Sequence, residues 1–527
     1  MNRRHLTIIL AAALPALAFG RAAQAQPSIF QPDWSSLDQR PTPAWYSKAR
    51  FGIFIHWGVY SVPAFAPVHV KGELPYAEWY WHAITAGKLV EDTGKLSDDP
   101  VGNGLHTWEF HRRVYGGTFP YADFLPMFRA ELFDPAQWAD LFDRSGAKYV
   151  VLTSKHHDGF TLWRSQEANR SWGRPWNAVD AGPKRDLLLE LSEAGRRRGL
   201  HMGLYYSLYE WYNPLWLADR KRYVAEHMMP QFKDVVAHAR PDIVFADGEW
   251  ELPSADWHTP ELLAWLFNES PVKNQVVVND RWGKETRHAH GGYYTTEYTA
   301  GLKTGAHPWE EDRGMGFSFG YNRMETATDY RTERELILML VDIVSRGGNL
   351  LLDIGPTADG RIPVIMQERL LQMGEWLRTN GEAIYGSVPW KRTRLWSRGT
   401  VPEIQETQYA GEYDIAKMVD APPPGAARIE AFFTSKDGDL YVLTPRWPHQ
   451  GLVIPNLKLR SNGRVTLLAT QQGVVWRAER SGIRLSPPPA APETPSPVYV
   501  FRISGISAAG SIIPKSPRAF AGNSEVR

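Results

Sequence analysis

Cysteine is absent from the 527 residues, so no disulfide can staple this chain, no thiolate can act as a nucleophile, and zinc sites built on sulfur are excluded. An excess of charge of one sign is missing too: 59 Lys and Arg stand against 58 Asp and Glu, a net charge of +1. Such a chain carries no field to draw in nucleic acid or anionic lipid, and a neutral partner is expected. Long apolar runs are confined to the first residues. The stretch from Leu6 to Phe19 follows the basic Arg3-Arg4-His5, is interrupted by Pro15 and leads into Ala23-Gln24-Ala25. It is shorter than the about 20 residues that span a bilayer. A basic start, an apolar middle and a small-x-small end make an export signal over residues 1–25. The mature protein is therefore expected in the periplasm or the medium, without membrane insertion, and Arg3-Arg4 keeps a twin-arginine route open.

What the chain has in quantity is aromatic surface, with 22 Trp, 22 Tyr and 21 Phe. Flat rings cover the apolar faces of sugars, although large cores use Trp as well. With 43% hydrophobic and 22% charged residues the composition is that of a soluble globular chain, and its length calls for more than one domain. From residue 45 to 355 one grammar repeats: a short β-rich apolar run, a polar residue at its end, then a helix-like stretch. The runs are Phe51 to Ile55, Tyr149 to Leu152, Met202 to Tyr206, Ile243 to Phe245, Val276 to Val278 and Asn349 to Leu352. Helices are expected at Pro135 to Ser145, Asp186 to Arg198, Lys221 to His238 and Thr332 to Ser345. Alternation of this kind predicts a parallel sheet, and polar groups at so many strand ends favour a (β/α)8-like barrel, class α/β, over an open doubly wound sheet. The barrel is assigned to residues 26–384. After Asn380-Gly381 short alternating strands predict a β-sandwich over 385–505, followed by a flexible tail over 506–527. Residues 82–116 read as a polar insertion forming a loop at the barrel mouth.

Hydrolysis of a glycoside calls for two carboxyl groups, one ionised and one protonated. Asp247, at the end of Ile243-Val244-Phe245-Ala246 and before Gly248, is placed for the first role; the plainer alternative is an Asp-Gly turn. Glu297, between Thr296 and Tyr298, has aromatic neighbours that would desolvate it and raise its pKa; the plainer alternative is a surface residue on a loop. Glu310 is the second choice. His56, His156 and His157 raise a metal-dependent hydrolase as a rival, but adjacent strand residues point to opposite faces, so His156 and His157 can both turn inward only if the strand has ended. These three histidines show neither H-x-H nor H-E-x-x-H spacing, and neither metal nor cofactor is expected.

Read together, the motifs resemble glycoside hydrolase family 29, the α-L-fucosidases. They are Phe51-Gly52-Ile53-Phe54-Ile55-His56-Trp57-Gly58, Glu78-Trp79-Tyr80, Lys155-His156-His157-Asp158-Gly159-Phe160, Gly203-Leu204-Tyr205-Tyr206-Ser207, Asn279-Asp280-Arg281-Trp282-Gly283, Phe317-Ser318-Phe319-Gly320-Tyr321 and Asn380-Gly381-Glu382-Ala383-Ile384-Tyr385. The resemblance covers roughly residues 40 to 390. It implies an exo-acting retaining hydrolase for terminal α-L-fucose, with Asp247 as nucleophile and Glu297 as acid/base. His56, Glu78, Trp79, His156, His157, Tyr205 and Arg281 match positions around the sugar, and Phe54 and Phe319 match apolar positions suited to its methyl group. Phe245 stands where members often carry Trp. The partner implied is a fucosylated oligosaccharide or glycoconjugate; homo-oligomerisation is left open. Two other readings remain at this stage: a retaining glycosidase for a related sugar, and a non-catalytic sugar-binding protein, which would not need both carboxylates.

Overall fold

Runs such as Phe51-Gly52-Ile53-Phe54-Ile55, apolar at every position, suit strands buried on both faces, and the computed structural model places them in one parallel sheet of eight strands. It describes residues 29–96, 102–303, 307–403, 406–407, 414–493 and 495–507. The expected leader, residues 1–25, lies outside the described residues. The strands are β1 (Phe51–Ile55), β2 (Tyr149–Lys155), β3 (His201–Ser207), β4 (Ile243–Asp247), β5 (Val277–Val278), β6 (Tyr294–Glu297), β7 (Trp309–Gly314) and β8 (Asn349–Ile354). Their order is β5-β4-β3-β2-β1-β8-β7-β6, which curls the sheet into a (β/α)8-like barrel with one seam, between β5 and β6.

Side-chain alternation sorts each strand into two faces. Phe54, Val151, Ile243 and Val277 stand in register across β1, β2, β4 and β5, and with Tyr149, Tyr205, Phe245 and Leu351 they form the barrel's inner core. Ile53, Ile55, Val150, Leu152, Leu204, Val244, Leu350 and Leu352 face the other way, into the larger core beneath the helices. Gly52 is inward as well: a Cβ there would lie 2.3 Å from the Tyr149 ring, so only glycine leaves that tyrosine room inside the barrel.

Helices at Pro135–Arg144, Leu187–Arg197 and Glu333–Ser345 follow the expected pattern to within a residue or two. Asp134 caps the first through the N–H groups of Ala136 and Gln137, and Thr332 with Glu335 makes a capping box on the last. The helix expected from Lys221 to His238 contains a π-turn, Val224–Met228, before Met229–Ala239. Pro230 lacks the N–H that would reach the Glu226 carbonyl, which instead accepts from Arg170 at 2.7 Å. Two strands had no expectation attached, β6 and β7. The insertion is not a loop but a helical hairpin, Tyr80–Thr93 and Leu105–Val114. Tyr80, Ile84, Gly87 and Val90 bury one face of its first helix, a three-to-four spacing that the polar composition of the segment masked. Gly87 lets the helices touch, since a Cβ there would meet the Gly104 carbonyl at 2.3 Å.

Beyond the barrel lie a six-stranded antiparallel sheet and a three-stranded one. The first is ordered β14-β13-β17-β11-β10-β9, from β14 (Gln472–Gly473), β13 (Leu459–Leu467), β17 (Tyr499–Ile506), β11 (Asp439–Thr444), β10 (Ile429–Lys436) and β9 (Val388–Trp396). The second is β12-β16-β15, from Leu452–Pro455, Gly482–Ser486 and Val475–Glu479. Alternation works here too: Phe432, Tyr441 and Leu443 pack toward the barrel, whereas Phe433, Val442, Phe501 and Ile483 close the space between the sheets. Ile506, placed in the tail from sequence, still belongs to β17; residues 508–527 lie outside the described residues.

No ladder joins β5 to β6, and the seam is closed by Asp280 instead. Its buried carboxylate accepts from the Thr295 N–H at 3.1 Å, the Thr295 hydroxyl at 2.7 Å and the His288 N–H at 3.0 Å. Asp280→Ala strands those three donors in the interior and is expected to lower unfolding free energy by about 3–5 kcal/mol. Asp280→Asn, which keeps an acceptor, is expected to lose less. Denaturant titration of the three proteins checks this; equal stability for Asp280→Ala and the parent would show that the seam is held elsewhere.

Candidate active site

The parity that fills the barrel with apolar side chains also delivers polar ones to its mouth. Two residues beyond an inward side chain, at the C-terminal end of each strand, stand His56 after Phe54, Ser207 after Tyr205, Asp247 after Phe245, Glu297 after Thr295, Asp312 after Glu310 and Asp353 after Leu351. All but Glu297 fall in the buried class. His156 and His157 follow Lys155, the last residue of β2, in a turn where alternation no longer applies. Their rings therefore lie side by side, 4.3 Å apart, and both face Tyr205.

Arg281, just past β5, gathers the acids. Its Nη1 lies 3.0 Å from Asp247 Oδ1 and 3.4 Å from Glu297 Oε2, its Nη2 3.0 Å from Asp312 Oδ2, and its Nε donates to the Thr295 hydroxyl at 3.0 Å. The guanidinium sits over the Phe245 ring at 4.8 Å. One cation cannot neutralise three buried carboxylates, so their protonation diverges. Burial pushes Asp247 up, but the Arg281 guanidinium, with Arg287 farther off and the Tyr205 hydroxyl donated at 2.7 Å, outweighs it and holds the carboxyl at about 2. For Glu297 burial dominates: Arg281 pulls its pKa down, Asp247 pushes it up, and the net direction is upward. Asp312 is likewise driven well above the usual carboxylate range by burial, against the pull of Arg281. The mouth thus holds one carboxyl drawn down and one pushed up against a shared nitrogen, the divergence of pKa values that glycoside hydrolysis uses.

The histidines are neutral. Burial takes His56 down to about 3, His157 to about 4 and His156 well below its ordinary value. Ser207 donates its only proton to the Tyr209 carbonyl at 2.5 Å, so it must accept from His157 Nδ1 at 2.6 Å. That leaves His157 Nε2 as an acceptor, 3.6 Å from Asp247 Oδ2. His56 Nδ1 is anchored to Asp353 at 2.6 Å. Glu78 accepts from the Gly320 N–H at 2.8 Å and the Ser318 hydroxyl at 3.1 Å through one oxygen; the other oxygen is buried and unpartnered, and burial lifts this carboxyl to about 7. Phe54, Phe245 and Phe319 form an apolar wall: Phe54 lies 5.0 Å from Phe245 and 6.3 Å from Phe319, whose ring stacks on His56 at 4.9 Å. Trp79 reaches the site from the root of the helical hairpin, against His157, Trp211 and Trp250.

All twelve residues singled out from the sequence thus meet at one end of the barrel. Glu310, the second choice for the acid, does not. It lies one layer deeper, fully buried, accepting from the hydroxyls of Tyr46 at 2.9 Å and Tyr149, and it belongs to the barrel floor. Asp312, Trp211 and Trp250 were missed. Inward parity from Glu310 to Asp312 is a signal that, with β7 recognised, would have found the first of them.

A parallel barrel whose strand ends hold this pair of carboxyls among neutral histidines and aromatic rings has the site of a glycoside hydrolase. Comparison with known proteins narrows the class. The family described as Alpha-L-fucosidase matches residues 17–382. The chain is 39% identical to the alpha-L-fucosidase of Dictyostelium discoideum, covering 90% of this chain and 95% of that protein, and 40% identical to the tissue alpha-L-fucosidase of Homo sapiens, covering 88% and 90%. It superposes on the crystal structure of Thermotoga maritima alpha-fucosidase with a TM-score of 0.68 at 34% identity, covering 90% of this chain and 99% of that one. The chain belongs to the alpha-L-fucosidase family, glycoside hydrolase family 29.

Because Arg281 is the largest influence drawing Asp247 down, Arg281→Met is expected to raise the pH at which that carboxyl ionises by about 1–3 units. The acid limb of kcat/KM for fucoside hydrolysis then moves upward by the same amount, along with a loss of rate. An unmoved acid limb in the variant would show that another group sets it.

Proposed function

We propose that the protein is an exported, exo-acting α-L-fucosidase that works by double displacement with retention of configuration, and that Asp247 and Glu297 divide the chemistry. The observation that carries this reading is the shared Arg281 nitrogen at 3.0 and 3.4 Å from the two carboxyls. Bridging by one nitrogen keeps the two carboxyls close together, as the about 5–5.5 Å separation of direct attack needs. Asp247, ionised, attacks the anomeric carbon as the bond to the leaving oxygen breaks, and Glu297 gives that oxygen its proton. Once Asp247 is esterified its charge is gone. The repulsion it added to burial at Glu297 goes with it, and Glu297, having given its proton to the leaving oxygen, takes one from the water that cleaves the ester.

In this reading Glu78, His56, His156, His157 and Tyr205 meet the sugar's hydroxyls, Trp79 covers one face, and the Phe54, Phe245 and Phe319 wall takes the methyl group. A Thermotoga maritima relative at 33% identity has been solved in complex with fucose, which agrees with this choice of sugar. Export follows from the leader read over residues 1–25, and N-terminal sequencing of secreted protein beginning at or near Gln26 checks it.

Hydrolysis of an aryl α-L-fucoside by the mature protein, with Asp247→Gly and Glu297→Ala in parallel and with and without azide, tests the roles. Both variants are expected to lose activity, Glu297→Ala by about 10²–10⁴-fold on substrates with poor leaving groups and by less on activated ones. Azide should restore turnover, giving α-fucosyl azide from Glu297→Ala and β-fucosyl azide from Asp247→Gly. The same azide anomer from both variants, or a fully active Glu297→Ala, would overturn the assignment.

A further inference from the structure

Behind the two histidines of the site lies a group of buried charges that the proposed chemistry does not use. Glu210 is completely buried. One of its oxygens accepts from Lys155 Nζ at 2.9 Å and from His227 Nε2 at 2.7 Å; the other accepts from Trp172 Nε1 at 2.9 Å and Asn213 Nδ2 at 2.6 Å. Lys155 is equally buried, its ammonium 4.1 Å from the centre of the Tyr206 ring. Burying such a pair gains little stability over apolar side chains of the same volume, so its presence asks for another reason.

Its connections supply one. Lys155 is the residue before His156. An irregular register between Thr153 and Lys155 turns that side chain out of the barrel, toward Glu210 and opposite Tyr206. Glu210 in turn precedes Trp211, whose N–H donates to the His157 carbonyl at 2.9 Å and whose indole packs against both histidine rings. Gly159, which closes the same turn at φ +74°, leaves no room for a side chain, because a Cβ there would lie 2.4 Å from Glu210 Oε2. His227 arrives from the π-turn that Pro230 imposes on its helix. The carboxylate of Glu210 therefore ties the Lys155 end of the turn bearing His156 and His157 to a helix outside the barrel and packs against its Gly159 end, while the next residue, Trp211, bonds His157 itself.

We infer that Glu210, held by Lys155 and His227, is a positioning residue that sets the two histidines for the substrate's hydroxyls. The inference rests on the reading of His156 and His157 as hydroxyl partners. Gln at position 210 keeps the volume but turns a donor toward Trp172 Nε1 and Asn213 Nδ2, which are themselves donors. His227→Leu removes one donor from Glu210, whereas His227→Gln restores an N–H without the ring.

The test is kcat/KM for the parent aryl fucoside and its monodeoxy analogues, measured on Glu210→Gln, His227→Leu, His227→Gln, His156→Ala and His157→Ala, with thermal unfolding of each. Glu210→Gln and His227→Leu are expected to lose about 10–100-fold on the parent fucoside, and the loss should shrink to within about threefold on the same deoxy analogue that abolishes the penalty of a histidine variant. His227→Gln should recover most of the rate. A penalty equal on every analogue, or no penalty, overturns the inference, and His227→Leu decides it if Glu210→Gln does not fold. If the histidine variants themselves show no analogue dependence, the hydroxyl reading fails, and the inference with it, by a result distinct from the first.

Discussion

Carboxyl groups taken out of water lose hydration and repel one another, and the mouth of this barrel holds Asp247, Glu297 and Asp312 around the single guanidinium of Arg281. The protonation of each acid depends on how that cation is shared. Where Arg281 is joined by the Tyr205 hydroxyl, as at Asp247, the carboxyl stays ionised. Where burial prevails, as at Glu297 and Asp312, the pKa is pushed upward and the proton is held more tightly. The position of Arg281 is fixed in turn by Thr295, which accepts from its Nε and donates to Asp280 across the seam. A gap in the strand ladder and the electrostatics of the site are thus one problem with one solution: the side chain that closes the barrel orients the side chain that sets its protonation.

Strand alternation explains why so much of this was legible in the sequence. β1 coincides with the apolar run Phe51 to Ile55, and β2, β3, β4 and β8 extend their runs by one to three residues into the polar group that ends each one. Reading a functional residue at the end of an apolar run is reliable when the run is buried on both faces, because its length then marks where the core stops. The twelve residues named from the sequence were found in this way or through family motifs, while Asp312, Trp211 and Trp250 were not.

The rest escaped for physical reasons that particular residues show. β6 and β7 carry Tyr294-Thr295-Thr296-Glu297 and Trp309-Glu310-Glu311-Asp312-Arg313-Gly314, buried yet polar. They have no apolar signature because many of their neighbours are hydroxyls and ions: Tyr46 and Tyr149 both donate to one oxygen of Glu310, and Thr296, Thr299 and Arg313 satisfy Glu311. The hairpin over Tyr80–Thr93 and Leu105–Val114 buries so narrow a stripe that the polar residues interleaved with it hide the helical spacing. The Lys155, Glu210 and His227 group is spread over 73 positions of sequence, and nothing local in any of the three segments announces the others.

The two halves of the pocket differ in how strongly they can select a sugar. An apolar wall such as Phe54, Phe245 and Phe319 gains from a buried methyl group, yet it discriminates against an added hydroxyl by only about 10²-fold, since the hydroxyl loses hydration without colliding with anything. Buried polar atoms that wait for a partner are more demanding, rejecting a ligand that lacks the matching group by up to about 10⁴–10⁵-fold. The site has such atoms in the second oxygen of Glu78 and in His156 Nδ1, both buried and unpartnered among the described residues. His157 Nε2 adds an acceptor whose tautomer is dictated by Ser207. Under the proposed reading, then, the phenylalanines favour a deoxy sugar, while Glu78 and the histidines decide which pattern of hydroxyls it must carry. Neutral imidazoles suit that task, because a charged ring would draw in anions and hold a hydroxyl no more selectively.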